Sequence, residues 1–279
     1  MGAPLPSATL PCPIATTVSP SFAWRHTITS NEWVDPVFRV RLWPSAVLIA
    51  LGSLISRTVN RARAVWRYLA SAPLTFSWLA VLLATTIYQH SVPRAQRRML
   101  LLHGSTNLHH LASDPIRVLF DSLLWIDSYR WWPYLLVFVV FLAPAERWLG
   151  SVRWLIVGLV AHICATYISE GVVYWRIQEA MASPRLINAR DIGVSYFVVG
   201  ILGVLTYHIA RPWRWGYLAV AVLVFVVALI ISPNFTPFGH FFALLIGLSC
   251  YPLVRGRDRA PADPGKLFRR LTHHEAPAA

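Results

Sequence analysis

The chain has 279 residues, of which 56% are hydrophobic and 13% are charged. Soluble domains carry about 25% charged residues, so this composition excludes an ordinary soluble domain and indicates a multi-pass membrane protein. The net charge of +13 comes almost entirely from arginine, since Lys266 is the only lysine. In a membrane protein, such a charge indicates orientation and contact with the lipid bilayer, so we expect no nucleic acid partner.

The N-terminal part of the chain is polar before it becomes apolar. Residues 1–40 are rich in proline, serine and threonine, lack the apolar core of a signal peptide, and are predicted to be disordered. Residues 41–72 carry apolar side chains at helical spacing, interrupted by Arg57, Arg61 and Arg67. This pattern predicts an amphipathic juxtamembrane helix on the bilayer surface. A seventh, short span over residues 42–55 is the alternative.

Six apolar runs follow, near residues 74–92, 131–147, 153–173, 192–210, 215–232 and 238–254. Each is about long enough to cross a hydrocarbon core, so residues 73–254 are predicted to form an all-α bundle of six transmembrane helices. The distribution of basic residues predicts that both termini are cytoplasmic in a cell-membrane protein, with a basic cytoplasmic tail over residues 255–279. Arg94, Arg97 and Arg98 fall on the opposite side and depart from this rule.

The segment between the first two runs is long and rich in histidine. His103, His109 and His110 have no accompanying carboxylate spacing, and the three cysteines of the chain are scattered, so a polar loop is favoured and no metal or cofactor is expected. Asp114 followed by Pro115 is typical of a helix N-terminus. We predict a short helix there at the outer interface.

Two polar side chains begin apolar runs that enter the membrane from the same side. Ser195 lies one turn into the fourth run, and His240 lies at a similar depth in the sixth. A serine with a neighbouring histidine base is a nucleophile, so the pair is a candidate for intramembrane hydrolysis. Helix packing by the serine and simple hydrogen bonding by the histidine are the alternatives.

Three stretches of the sequence resemble the rhomboid superfamily of intramembrane serine proteases: "AERWLGS" at 145–151, "GVSYFVVGILG" at 193–203 and "GHFFALLIGL" at 239–248. The resemblance covers roughly residues 74–254 and implies a rhomboid-like bundle. It implies Ser195 and His240 as catalytic residues. The supporting positions that match the family's motifs are Glu146, Leu149, Gly150, Ser151, Gly193, Gly203, Ala243 and Gly247.

The sequence departs from the family's pattern at the positions that bind the oxyanion and follow the serine. Tyr196 stands where the family commonly has glycine, and it would crowd the substrate or supply a hydroxyl. Arg130 and Tyr134 occupy the positions of the usual histidine and asparagine, and they are the substitute oxyanion candidates. The same ungapped count places Arg117 at the position of the arginine in the family's first loop.

Three further polar residues lie near the ends or the middle of the apolar runs. Asp191, four residues before Ser195, is expected to be either an N-cap or a residue that orients His240. Glu170 is expected to be solvated at the outer end of the third run. His162 is expected to be a neutral histidine that bonds across helices.

Two functions follow from these residues. The first is a serine endopeptidase that cleaves a transmembrane protein substrate near its outer end, with His240 taking the proton of Ser195. The second is a non-catalytic rhomboid-like protein that binds membrane proteins as clients. A transporter is less favoured because no inverted repeat is visible.

Overall fold

A computed structural model describes residues 36–127, 130–232, 234–256 and 261–272. Of the segment 1–40 that the sequence predicts to be disordered, residues 1–35 lie outside the described residues. Its last five residues belong to helix α1 (Pro36–Ala70). The chain divides into two units, Met1–Thr58 and Val59–Ala279. The second unit contains α2 to α13 and the candidate site.

The second unit is built from helices, and the longer ones follow the apolar runs. They are α2 (Pro73–Ser91), α3 (Arg94–His103), α4 (Leu108–Ser113), α5 (Pro115–Asp121), α6 (Trp132–Val137), α7 (Ala143–Leu149), α8 (Ser151–Gln178), α9 (Val194–Leu205), α10 (Trp213–Ile231), α11 (Phe235–Ser249), α12 (Tyr251–Val254) and α13 (Pro264–Thr272). A π-helical turn, Phe138–Leu142, joins α6 to α7 just before Pro144, which lacks the amide that a regular helix needs. The described chain is therefore all-helical, apart from an isolated bridge between Ile209 and Ala262.

Three helical segments are each long and apolar enough to cross a membrane: Trp132–Leu149, Ser151–Gln178 and Trp213–Ile231. A fourth is added if Val47–Ala70 and Pro73–Ser91, which meet at a bend of 95°, form one broken span. The helical segments Val194–His208 and Phe235–Ser249 are apolar but shorter. The protein is membrane-embedded on this composition, while the six-span count and the amphipathic role of α1 remain predictions.

An aromatic cluster forms the centre of the bundle. The ring of Trp78 on α2 lies 5.0 Å from that of Phe138 and 4.7 Å from that of Phe197 on α9. Trp154 on α8 packs against Phe197 at 4.9 Å. Offset aromatic contacts at these distances are favourable beyond the area they bury. They join four helical segments around one core.

The predicted N-terminus at Asp114 is confirmed. Pro115 begins α5, and the Asp114 side chain accepts a hydrogen bond from the Arg117 amide at 3.3 Å. Arg117 is exposed and forms an ion pair with Asp121 at 3.3 Å. Such an exposed pair contributes little stability. Its contacts are local to α5.

Glu146 joins the start of α2 to the turn between α7 and α8. Its carboxylate accepts hydrogen bonds from the amides of Leu74 at 3.1 Å and Thr75 at 2.7 Å, which the first turn of α2 leaves unpaired. Ser151 donates to the same carboxylate at 2.6 Å, and Gly150 between them has a φ of 83° that favours glycine. The motif "AERWLGS" therefore connects the start of α2 to the turn between α7 and α8.

We expect Glu146→Ala to lower the free energy of unfolding by about 1–3 kcal/mol, because it leaves the buried amide of Thr75 and the part-buried amide of Leu74 without an acceptor. Thermal unfolding in a mild detergent measures this as a lower Tm. Glu179→Ala, at an exposed position after α8, is the matched control and should leave Tm unchanged. Equal Tm values for the two variants would contradict the assigned role of Glu146.

Candidate functional site

Helices α8, α9 and α11 approach one another closely at glycines. A Cβ atom at Gly203 would lie 2.5 Å from the Leu244 carbonyl oxygen, and one at Gly247 would collide with the Gly200 carbonyl. A Cβ atom at Gly200 would in turn meet the side chain of Ala161 on α8. Small residues permit this approach where lipid gives no hydrophobic drive for helix association. The contact sets the positions of Ser195 and His240, which lie on two of these helices.

Ser195 lies in the first turn of α9 and is half-buried. Its hydroxyl donates to the carbonyl oxygen of Ile192 at 3.2 Å, a bond within its own turn. Serine commonly makes such backbone bonds at helix ends. The hydroxyl therefore has a hydrogen-bond partner in the backbone of its own turn.

His240 lies in the second turn of α11 and is surrounded by aromatic rings. Its ring meets the ring of Tyr196 edge to face at 5.2 Å and lies 6.0 Å from that of Phe225 on α10. Among the described residues, Nε2 of His240 is buried and has no hydrogen-bond partner. The imidazole is therefore held by ring packing on this side.

Tyr196 is fully buried between α8 and α11. Its hydroxyl shares a hydrogen bond with Ser169 of α8 at 3.2 Å. The same hydroxyl lies 2.5 Å from where a Cβ atom of Gly239 would be, so glycine at 239 makes room for it. Tyr196, which departs from the family's pattern, is thus part of the packing between these helices.

Asp191 lies just before α9, and its backbone is tied to the segment that follows α3. Its amide donates to Ser105 Oγ at 2.7 Å, and its carbonyl accepts from the Thr106 amide at 3.0 Å. The prediction that Asp191 caps α9 is wrong, because the N-cap is Gly193 and no side chain caps this helix. These backbone bonds place its carboxyl group inside the protein instead.

The carboxyl group of Asp191 is buried, and the cost of burying its charge raises its pKa to about 7. The hydroxyls of Tyr196 and Ser169 and the backbone of Ile192 act in the opposite direction, by hydrogen bonding to the charged form. Within the part of the chain that the structure describes, Oδ2 has no hydrogen-bond partner.

Glu170 is buried rather than solvated, so the expectation from sequence is wrong. Helix α8 continues two turns beyond it, to Gln178, and the segment after α3 covers its carboxyl group at Leu108. Asp191 lies close enough to interact with it electrostatically. Two carboxyl groups therefore share one buried region under this segment.

His162 bonds across to the end of α5, as predicted. Its Nε2 lies 3.1 Å from the Leu119 carbonyl and 3.4 Å from Ser122 Oγ, and the ring is fully buried. A Cβ atom at Gly193 would collide with this ring and lie 2.6 Å from Ser122 Oγ. Gly193 of the "GVS" stretch thus allows the start of α9 to pack on His162. The sequence indicated the glycine but not this role, nor the part that Ser122 plays.

The predicted oxyanion candidates lie at the start of α6. Arg130 is exposed two residues before this helix, and Tyr134 is half-buried in its first turn. Tyr134 packs against the core that contains Phe138 and Phe197. Their proposed part in binding an oxyanion stays a prediction.

The histidines after α3 form a ring cluster. His103 stacks on His110 with centroids 6.2 Å apart, and His110 Nδ1 lies 3.1 Å from the Ser105 carbonyl. Over residues 36–127, 130–232, 234–256 and 261–272, no group of three histidine, cysteine or acidic side chains is arranged to hold a metal ion. These rings contribute to the fold of the segment that covers Asp191.

Comparison with known proteins identifies the family. The sequence profile described as "Rhomboid-like protein" matches residues 67–260, which include every helix of the glycine contact. This chain belongs to the rhomboid superfamily. No curated protein and no solved structure matches it significantly.

The glycine contact makes a prediction about stability. Gly247→Ala should lower Tm, at a cost of about 1–3 kcal/mol, because the added methyl group forces α9 and α11 apart. Gly216→Ala on α10 is the matched control, since a Cβ atom there meets nothing within 4 Å. A Gly247→Ala variant as stable as this control would contradict the close approach.

The buried Asp191 makes a prediction about pH. Because its pKa is raised from 3.8 to about 7 in the folded state, the folded state holds the proton more tightly and loses stability as pH rises through this range. Glu170 and Tyr196 are the ionisable groups that face it. We expect the difference in Tm between Asp191→Asn and the parent chain to shift in favour of the variant as the pH rises from 4 to 8, because only the parent chain loses stability by this ionisation. A difference that is independent of pH would contradict a protonated Asp191.

Proposed function

We propose that this protein is a rhomboid-like protein of the cell membrane, with six spans and cytoplasmic termini, that binds membrane proteins as clients without cleaving them. The observation that carries the proposal is the hydrogen bond from Ser195 Oγ to the Ile192 carbonyl at 3.2 Å. A serine becomes a nucleophile when its proton is passed to a base within about 2.6–3.2 Å. Here the hydroxyl is within hydrogen-bond distance of a backbone oxygen, which is not a base.

The environment of His240 supports the same function. Its Nε2 is buried without a hydrogen-bond partner in the described chain. Hydrolysis of an acyl-enzyme needs a histidine that also reaches water, because the base must activate the second nucleophile. Nε2 meets neither the serine nor solvent in this structure, which disfavours a role for this nitrogen as the base.

Tyr196 adds a steric argument. Its ring packs against His240, and its hydroxyl is bonded to Ser169 on the neighbouring helix. A substrate carbonyl approaching Ser195 would need space beside this ring, and moving the ring breaks a buried hydrogen bond. The close packing of α8, α9 and α11 is present in this protein, so the architecture of the bundle is retained although the site disfavours catalysis. Rhomboid relatives act on or bind proteins of the bilayer, which leaves client binding as the function.

The serine endopeptidase is the second candidate, because Ser195 and His240 are both present on helices in direct contact. In that reaction His240 takes the Ser195 proton, the serine oxygen attacks the scissile carbonyl, and the C–N bond breaks as His240 gives the proton to the leaving amine. Water, deprotonated by His240, then attacks the acyl-enzyme and releases the acid, and the proton returns to Ser195. Tyr134 and Arg130 would then supply the oxyanion donors. Loss of one such donor costs on the order of 10²–10³ in rate. An enzyme in which Arg130 and Tyr134 replace the usual histidine and asparagine would therefore be slow.

Labelling with a serine-reactive fluorophosphonate separates the two functions. We expect the parent chain, Ser195→Ala and the control Ser249→Ala to be labelled equally, because Ser195 is not activated. Ser249 is an exposed serine of α11 whose hydroxyl is bonded to Leu245 in a similar way. The same three proteins should retain, and not cleave, members of a panel of single-span membrane proteins.

Cleavage or labelling that only Ser195→Ala abolishes would establish the protease instead. In that case Tyr134→Phe and Arg130→Ala should each lower the cleavage rate by about tenfold or more. A parent chain that neither cleaves nor retains any of the panel would contradict both functions.

A further inference from the structure

The last helix of the described chain, α13, is fixed to one end of the bundle through the residues that precede it. The amide of Ala262 donates to the carbonyl oxygen of His208 at 2.8 Å, and the carbonyl oxygen of Ala262 accepts from the amide of Ala210 at 2.9 Å. The side chain of Asp263 accepts a hydrogen bond from the amide of Gly265 at 2.9 Å, in the first turn of α13. The start of α13 is therefore held by the segment that joins α9 to α10.

This end of α13 lies beside the beginning of a candidate membrane span. Helix α10 is long and apolar enough to cross a membrane, and its first residue is Trp213. A Cβ atom at Gly265 would lie 3.4 Å from Nε1 of Trp213. Trp213 and Trp215 are both exposed, and exposed tryptophans at the end of a span are typical of the boundary between hydrocarbon and headgroups. The start of α13 is therefore at the level of the membrane surface.

The side chains of α13 combine positive charge with an exposed aromatic ring. Phe268 is 67% exposed, and Lys266 and Arg269 on either side of it are also exposed. Arg211, two residues before α10, adds a further exposed cation at this end of the bundle. The sequence of the helix, PGKLFRRLT, places basic and apolar residues at helical spacing. This combination is typical of helices that lie in the interface of a bilayer.

A helix as short as α13 needs a surface to pack on. It has nine residues, and isolated helices shorter than about 12–15 residues are marginal in water. The membrane surface next to Trp213 offers an apolar layer for the ring of Phe268. Where its lipids are anionic, it also offers negative charge to Lys266 and Arg269, and each basic residue near such a surface strengthens the attraction about fivefold. An anionic bilayer therefore matches both the charge and the apolar ring of α13.

We propose that α13 is an interfacial helix that binds the anionic lipid surface beside α10. The ring of Phe268 enters the apolar layer, while Lys266 and Arg269 bind the phosphates of the headgroups. The hydrogen bonds of Ala262 keep the helix at the interface, so its partner is the bilayer that already surrounds the bundle. The stability of α13 then depends on lipid composition. This function is independent of whether Ser195 reacts.

Hydrogen exchange of the full-length protein in nanodiscs tests this assignment. Each disc holds a single copy of the protein, in phosphatidylcholine alone or in phosphatidylcholine with about 30% phosphatidylglycerol of the same acyl chains, which supplies the negative surface potential. We expect the backbone amides of α13 to exchange at least about fivefold more slowly in the anionic discs. Equal exchange rates in the two kinds of disc would overturn the proposal.

The contribution of charge is tested by Lys266→Gln combined with Arg269→Gln. Both positions are exposed, so the double variant should fold, and the exchange of the amides of α8 and α9 verifies this in the same measurement. We expect it to lose the difference between the two kinds of disc, because neutral side chains gain nothing from anionic headgroups. The matched control, Arg176→Gln combined with Arg185→Gln, removes two exposed arginines elsewhere and should keep the difference. An equal loss in both double variants would overturn the proposal.

The contribution of the aromatic ring is tested by Phe268→Ala. In the anionic discs the amides of α13 should exchange severalfold faster in this variant, because the ring supplies apolar area that lipid covers. Phe120→Ala, which removes an exposed phenylalanine of α5, is the control and should leave the exchange of α13 unchanged. Unchanged exchange in Phe268→Ala would contradict insertion of the ring.

Discs that hold two copies distinguish lipid from a second protein chain. If lipid covers α13, single-copy and two-copy anionic discs should show the same slow exchange. Slow exchange that appears only in two-copy discs would show that a second copy covers the helix, and it would overturn the lipid assignment.

Discussion

The close backbone contact of α8, α9 and α11 is the constraint on which the rest of the structure depends. In lipid, apolar side chains gain nothing by leaving their surroundings, so helices associate through close packing of small residues. Gly200, Gly203 and Gly247 provide that packing, and any Cβ atom at these positions would collide with a neighbouring helix. The first turns of α9 and α11 are thereby fixed, and with them Ser195 and His240. This geometry is needed by a binder as much as by a protease.

A second constraint follows from the buried polar groups above this contact. Asp191 and His162 each bond to a segment that precedes α6, through Ser105 and Thr106 in one case and Leu119 in the other. Burial of an unpaired polar group costs more than a hydrogen bond gains. Hydrogen bonds to Asp191 and His162 therefore fix the segment after α3 and the end of α5 over the polar groups that these segments cover. This also explains how irregular backbone is tolerated near a membrane.

The glycine contact could be predicted from sequence because it depends on residue size at fixed helical spacing. Gly203, Ala243 and Gly247 are recognisable as small residues in apolar runs, and they match positions of the family's motifs. Burial of Glu170 could not be predicted in this way. It depends on a segment more than fifty residues earlier in the chain, whose path is set by backbone hydrogen bonds that no local pattern encodes. Tyr196 is a similar case, since its neighbours Ser169 and Gly239 come from two other helices.

The positions of basic residues reflect both the orientation of the chain in the membrane and local structure, and the sequence alone does not separate these two causes. The positive-inside rule counts every arginine as a report on orientation, and Arg94, Arg97 and Arg98 contradict the orientation that the other basic residues favour. In the structure these three line one cavity at a helix N-terminus. Three arginines grouped on one short helix are a single local feature, so they weigh less against the predicted orientation than three arginines spread over separate loops would.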